Sequence, residues 1–290
     1  MLIMNYRRVA NIVKSEKIDM GGTLVKQSLP TNQLEQISPF LLLHHFGPTV
    51  VKPGDDPLDV GPHPHRGFEP VTFLFSGGIR HKDSRGNEGI LSGGDVQWMT
   101  AGMGIIHSER ASQDFLEAGG TMEGIQLWVN LPAKDKMVQP RYQDIKGSDI
   151  PEVKVDNGKV QLKLVAGSFG EQKGPAETFT PITAMMLEVA TGGKVELPIP
   201  NGHNALIYIL GGEIKLNDNF NYEGETMIKF RETGDGILLE GIQASRILFL
   251  TGEQIDEPLA TYGPFVMNNQ TQIMQAMRDY QMGKMGFYVD

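Results

Sequence analysis

The chain has 290 residues, enough to bury a large core in one or two domains, and no cysteine, which excludes disulfide frameworks, thiolate metal ligands and cysteine nucleophiles. Lys and Arg number 26 against 35 Asp and Glu, a formal charge of -9 that argues against direct contact with a nucleic-acid backbone. Any metal held here has to use imidazole, carboxylate or water.

The opening segment MLIMNYRRVANIVKSEK breaks its short apolar start with Arg7 and Arg8 and lacks the features of a secretory signal. No later run reaches the roughly 20 apolar residues of a bilayer-spanning helix, so a cytoplasmic protein without membrane contact is expected. Glycine (35) and proline (17) are frequent, and short apolar runs are separated by pairs such as Gly77-Gly78, Gly93-Gly94, Gly192-Gly193 and Gly211-Gly212. That punctuation predicts an all-β fold, sandwich or barrel.

In chain order the strand candidates are Val71–Phe75, Gly124–Val129, Thr183–Val189, Ala205–Leu210 and Arg246–Leu250, each alternating or continuously apolar. Between Leu131 and Gln143 the sequence LPAKDKMVQPRYQ mixes prolines with charges, as an inter-domain connection does. Near the end, Ile273, Ala276, Met277 and Tyr280 recur at helical spacing after Asn268 and Asn269, which can cap. A short C-terminal helix with core-facing methionines is expected there.

The two halves resemble each other. VTFLFSGG (71–78) and ALIYILGG (205–212) share their pattern and terminal glycines, and Gly94-Asp95 has a parallel in Gly234-Asp235. The first offset sets Leu197 opposite His63 and Ile199 opposite His65, and the second sets Ile247 opposite His107 and Phe249 opposite Glu109. On that register the second half keeps the β-module and lacks its polar positions.

Those four positions carry the chemistry. Side chains two apart on a strand share a face, so His63 and His65 in GPHPHRGFE point one way, as do His107 and Glu109 in MGIIHSER. Either pair alone reads as structural. Together, converging inside one domain, three imidazoles and a carboxylate read as ligands at about 2.0–2.2 Å from a divalent first-row metal, with coordination positions left for water, dioxygen or a chelating substrate.

HPHRGFE, GDVQWMTAGMGIIHSE, LWVNLP and GPFVMN closely resemble the signature segments of the pirin family in the cupin superfamily, and the likeness runs through nearly the whole chain. The resemblance implies two cupin, jelly-roll-like β-barrel domains: 1–135 with a metal site, and 136–290 without one, ending in a helix. It implies one divalent metal ion held by His63, His65, His107 and Glu109, with iron (Fe2+) expected before manganese, nickel, copper or zinc. It also implies that Glu109 shares a proton with the substrate, and a monomer is the expected state.

The remaining candidates are weighed singly. Glu69 reads equally as a carboxylate that orients a ligand imidazole and as a strand-face ion pair. His45 is expected nearer the pocket than His44, which stands where relatives carry an acid. Trp98, Met103, Phe46 and Phe73 could line an apolar pocket or simply pack. Arg66 is a cation at the site's mouth or an ion-pair partner. His81 is expected to be solvated in a turn, and His203 to be no ligand. GGTL and SGGD lack the lysine and helix of a phosphate loop.

Some pirins open the heterocycle of quercetin-like flavonols with release of carbon monoxide. The resemblance therefore implies a metal-dependent dioxygenase acting on a small aromatic substrate and dioxygen, with Glu109 catalytic. The alternative it implies is an iron-bearing, redox-sensitive regulator acting through a protein partner.

Overall fold

The structure is a computed structural model that describes residues 4–20 and 22–289. Strands dominate it, and they form two compact units. One unit comprises residues 17–29, 40–147 and 255–289, and the other comprises 4–16, 30–39 and 148–254. This differs from the expected division at residue 135, because both ends of the chain belong with the unit that is remote from them in sequence.

The unit holding residues 40–147 has a seven-stranded sheet in the order Arg141–Ile145, Val96–Thr100, Phe68–Ser76, Gly120–Asn130, Phe40–Val51, Thr23–Leu29 and Glu16–Met20. Its second sheet has the order Asp59–His65, Ile105–Ala111, Gly78–Asp83 and Glu88–Ser92. This is the jelly-roll arrangement of a cupin. The two ladders stay separate among the described residues, so each "barrel" is an open, two-sheet sandwich.

The other unit repeats the plan. Val9–Lys14, Thr226–Phe230, His203–Gly211, Ser245–Glu253, Ile182–Val189, Val160–Ala166 and Glu152–Val155 form its large sheet, and Lys194–Pro198, Gly236–Gly241, Glu213–Leu216 and Phe220–Glu223 its small one. Leu162, Met185, Ile207, Phe249 and Ile237 belong to one continuous apolar core between them.

Strand order corrects half of the expected repeat register. His63 lies opposite His107, as Leu197 lies opposite Ile237, and Glu109 lies opposite His81, as Leu239 lies opposite Leu216. Leu197 and Ile199 therefore keep their equivalence to the first two histidines. The counterparts of His107 and Glu109 are Ile237 and Leu239, whereas Ile247 and Phe249 lie on the strand equivalent to Gly120–Asn130. Gly94-Asp95 precedes Val96–Thr100 and Gly234-Asp235 follows the equivalent strand, so the two dipeptides occupy different turns.

All five strand candidates fall inside observed strands, and the helix spans Gln270–Gln281, where Asn269 Oδ1 accepts the Gln272 amide at 3.0 Å. Its methionines divide. Met277 packs in the core with Met285, while Met274 and Met282 are exposed, and Tyr280 is more exposed than its spacing suggested. The expected linker is no linker: Leu131 and Lys136 are buried and Arg141–Ile145 closes one edge of the large sheet.

Candidate metal centre

Asp59–His65 and Ile105–Ala111 lie side by side, with His63 opposite His107 and His65 opposite Ile105. Pleating turns i and i+2 to one face, and one nitrogen from each of His63, His65 and His107 lies within 4.8 Å of the others. Ring centroids are 4.7 Å apart for His63 and His65, 4.4 Å for His63 and His107, and 4.9 Å for His65 and His107.

Burial keeps these imidazoles neutral. It lowers the pKa of all three, outweighing the Gly61 carbonyl beside His63 and the Pro264 carbonyl near His65. His63 Nδ1 is 2.9 Å from the Gly61 carbonyl oxygen, which fixes the proton there and leaves Nε2 a lone pair. Neither nitrogen of His65 or of His107 has a well-formed hydrogen bond. Four orphaned interior nitrogens, at about 1–3 kcal/mol each, make no sense as packing. They fit a divalent first-row metal, which takes neutral imidazole lone pairs.

Glu109 stands on the same strand and face as His107 but outside the three-imidazole cluster. Its Oε1 accepts from Gln126 Nε2 at 3.2 Å and Thr72 Oγ1 at 3.5 Å, and His81 Nε2 is 3.7 Å away. Burial pushes its pKa up to about 7 against the lowering effect of both donors. The carboxyl is thus held where a proton can move on or off it near neutrality.

Several expectations are reversed. His81 is no solvated turn residue: it sits in Gly78–Asp83, is 2% exposed, stacks 6.0 Å from His107 and has no hydrogen bond to either nitrogen. The signal was the alternation Ile79, His81, Asp83, all buried. His44, not His45, shares the face of Gln126, and its Nε2 is 2.7 Å from Gln27 Oε1. His45 is on the opposite face, 3.1 Å from Glu123.

Among the aromatics, Phe73 and Trp98 also lie on that opposite face, in register with Ile125 and with Val71 respectively. Phe46 packs with Leu74 and Met122 in a separate core cluster. The aromatics beside the site are Phe68, 5.1 Å from His65, and Trp128, 5.5 Å from His65 and 4.3 Å from Phe68, neither of which the sequence reading singled out. Arg66 is the ion-pair partner, 3.0 Å from Asp279 in the C-terminal helix. His203 is bonded to Thr251 at 3.1 Å.

Glu69 faces away from the histidines and accepts from Thr100 at 2.7 Å. Burial pushes its pKa up from 4.5 to about 7. With the folded value above the unfolded one, this carboxyl stabilises the fold below about pH 4.5, and that contribution is lost as pH rises through about 7. Glu69→Gln is therefore expected to exceed the parent's stability by roughly 1–3 kcal/mol at pH 8 and not at pH 4.5. Urea denaturation at the two pH values checks this, and equal effects at both would contradict it.

A family model for pirin matches residues 22–129, and one described as the pirin C-terminal cupin domain matches residues 184–286. A pirin-like protein of Solanum lycopersicum is 39% identical over 284 residues, covering 96% of this chain and 92% of its own. The crystal structure of quercetin 2,3-dioxygenase from Acinetobacter baumannii superposes with a TM-score of 0.92 at 38% identity, covering 97% of this chain and 99% of that one. The nickel(II) complex of the bacterial pirin YhhW from Escherichia coli shares the fold, with a TM-score of 0.67 at 17% identity over 84% of this chain and 98% of that one. No helix among the described residues is long and apolar enough to cross a membrane.

Proposed function

Because this chain belongs to the pirin family, we propose that it is a metal-dependent dioxygenase of the quercetin 2,3-dioxygenase type, acting on flavonols or related enolizable aromatics. The observation that carries this reading is the cluster of three neutral imidazoles with orphaned nitrogens beside the buried carboxyl of Glu109. The solved Acinetobacter baumannii dioxygenase, similar over almost all of both chains, supports it.

His63, His65 and His107 would hold the ion and Glu109 would join them, with iron preferred over manganese, nickel, copper or zinc. A redox-active ion there supplies Lewis acidity and one-electron chemistry toward an oxygenated substrate. Three neutral ligands and one carboxylate leave a divalent ion about one formal positive charge, which favours an enolate or catecholate over a neutral ring.

The protein's own residues set up the proton transfer. Glu109 takes the proton of the substrate's enolic hydroxyl, and Gln126 and Thr72 hold its Oε1 in place meanwhile. Trp128 and Phe68 supply flat apolar surface beside His65. Glu109→Gln keeps the shape and removes the base, so quercetin turnover is expected to fall by about 100-fold or more. Unchanged turnover in Glu109→Gln, or in protein stripped by a chelator, would sink the reading.

A further inference from the structure

One row of the large sheet in the metal-bearing unit is polar from strand to strand. Asp144 lies opposite Gln97, Gln97 opposite Thr72, Thr72 opposite Gln126, Gln126 opposite His44, and His44 opposite Gln27. Residues directly opposite one another share a face, and the bonds agree. Gln97 Nε2 donates to Asp144 Oδ1 at 2.8 Å, Gln126 Nε2 to Thr72 Oγ1 at 3.3 Å, and His44 Nε2 lies 2.7 Å from Gln27 Oε1. The face is the one toward the site, since Thr72 and Gln126 both reach Glu109.

The same row in the other unit is apolar throughout. Ile12 lies opposite Ile228, Ile228 opposite Ile207, Ile207 opposite Phe249, Phe249 opposite Met185, and Met185 opposite Leu164. The fold is thus satisfied by six apolar side chains at these positions. Burying polar groups is costly unless they are bonded, and a packing role does not explain the three of this row that are buried. Thr72, Gln97 and His44 are each under 10% exposed.

The row has two ends. Asp144 and Gln97 line a polar cleft of about 460 Å³ with His81 and Tyr142, while Gln27, at the other end, is half-buried. Burial lowers the His44 pKa to about 4, so this half of the row carries no charge at neutral pH. Three inter-strand steps from Thr72 to Gln27 span roughly 14 Å, the scale of a three-ring ligand. Uncharged amide and imidazole groups suit hydroxyl and carbonyl oxygens rather than phosphate or carboxylate.

We propose that Gln126, His44 and Gln27 form a hydrogen-bonding rail that selects polyhydroxylated planar ligands over plain aromatic ones at the metal site. This rests on the dioxygenase-type reading above and names the substrate feature it recognises. Removing a rail partner leaves buried polar groups unpaired against the ligand, and that asymmetry makes hydroxyl recognition strongly discriminating.

The test is anaerobic fluorescence titration of metal-loaded protein with quercetin and with 3-hydroxyflavone, which keeps the enol and ketone but lacks the other hydroxyls. The parent is expected to bind quercetin about ten-fold more tightly or better. Gln27→Leu with His44→Met, the residues of the other unit's row, should erase that preference while changing 3-hydroxyflavone binding by no more than about two-fold. If the double variant fails to fold, Gln27→Leu alone, at the half-buried end, should lose about half of the preference in free-energy terms.

A preference retained in the folded variants, equal weakening of both ligands, or a parent that discriminates between neither overturns the rail. Selective anaerobic binding without aerobic turnover overturns the dioxygenase reading and leaves the rail standing.

Discussion

His107→Ala is expected to purify without stoichiometric metal and to bind added Fe2+ or Ni2+ at least about 100-fold more weakly than the parent, since even residues behind metal ligands cost 10–100-fold when lost. His107 is central to the cluster: it lies opposite His63, and its ring is within 4.9 Å of both other imidazoles. Two histidines on one strand cannot replace it. Isothermal titration with each metal measures the loss, and an affinity within about three-fold of the parent would remove the three-histidine site from consideration.

The same change separates a metal site from a packed core. In metal-free protein His107 is a buried imidazole with two orphaned nitrogens, so replacing it relieves desolvation rather than breaking bonds. His107→Ile, which places there the residue of the equivalent position Ile237, is expected to leave the metal-free protein as stable as the parent or more so. The stabilisation that added metal confers on the parent should disappear, because ligand linkage needs binding to the folded state.

The second large effect concerns Lys136. Its ammonium donates to the Gly67 carbonyl at 2.8 Å, to Asn130 Oδ1 at 2.7 Å and to the Val266 carbonyl at 3.1 Å, at 1% exposure. One buried cation thereby ties the turn after His65 to the C-terminal segment. Gly67 has φ of +87° and no room for a Cβ against the Val266 carbonyl, so this turn cannot relax into other contacts.

Lys136→Met fills the same volume and leaves three buried acceptors without a donor. The expected loss is about 3–5 kcal/mol of unfolding free energy, the range for breaking a buried charged network by removing one partner. Burial lowers the Lys136 pKa to about 7, so the measurement belongs at pH 6, where the ammonium is mostly formed. Guanidinium denaturation that shows a loss below about 1 kcal/mol would mean that these carbonyls find other donors. Weaker metal binding should accompany the loss, because Arg66 and Gly67 directly follow His65.

Period-two alternation made much of the site readable in advance. His63, His65 and His107 lie on strands whose faces follow from position alone, and Leu197 and Ile199 stand buried and apolar at the positions equivalent to the first two histidines. What alternation could not supply was register between strands. His44 and His45 are adjacent, so their sides depend on which residue of Gly120–Asn130 each one faces, and that ladder contains bulges.

His81 was hidden differently. Lys82 and Asp83 made the stretch look like a turn, although Asp83 itself is buried and accepts the Arg85 and Asn87 amides at the strand's end. The Pro-rich stretch after Leu131 looked like a linker because charge and proline mark exposed chain on average. Here the charge of Lys136 is turned inside, onto the Gly67 and Val266 carbonyls and Asn130 Oδ1.

The polar row was beyond reach for the same reason as His44. Asp144, Gln97, Thr72, Gln126, His44 and Gln27 are scattered over more than a hundred positions, and only the ladder brings them into line. Each is unremarkable in its own strand.

The most direct test of the central claim is elemental analysis and carbon monoxide release on one preparation, purified without added metal and supplied with quercetin and air. The account predicts a redox-active metal at about one per chain, and carbon monoxide that rises with metal content and stops when a chelator removes it. Bound metal with no ring opening and no carbon monoxide would contradict it, and would favour a metal-bearing regulator acting through a protein partner.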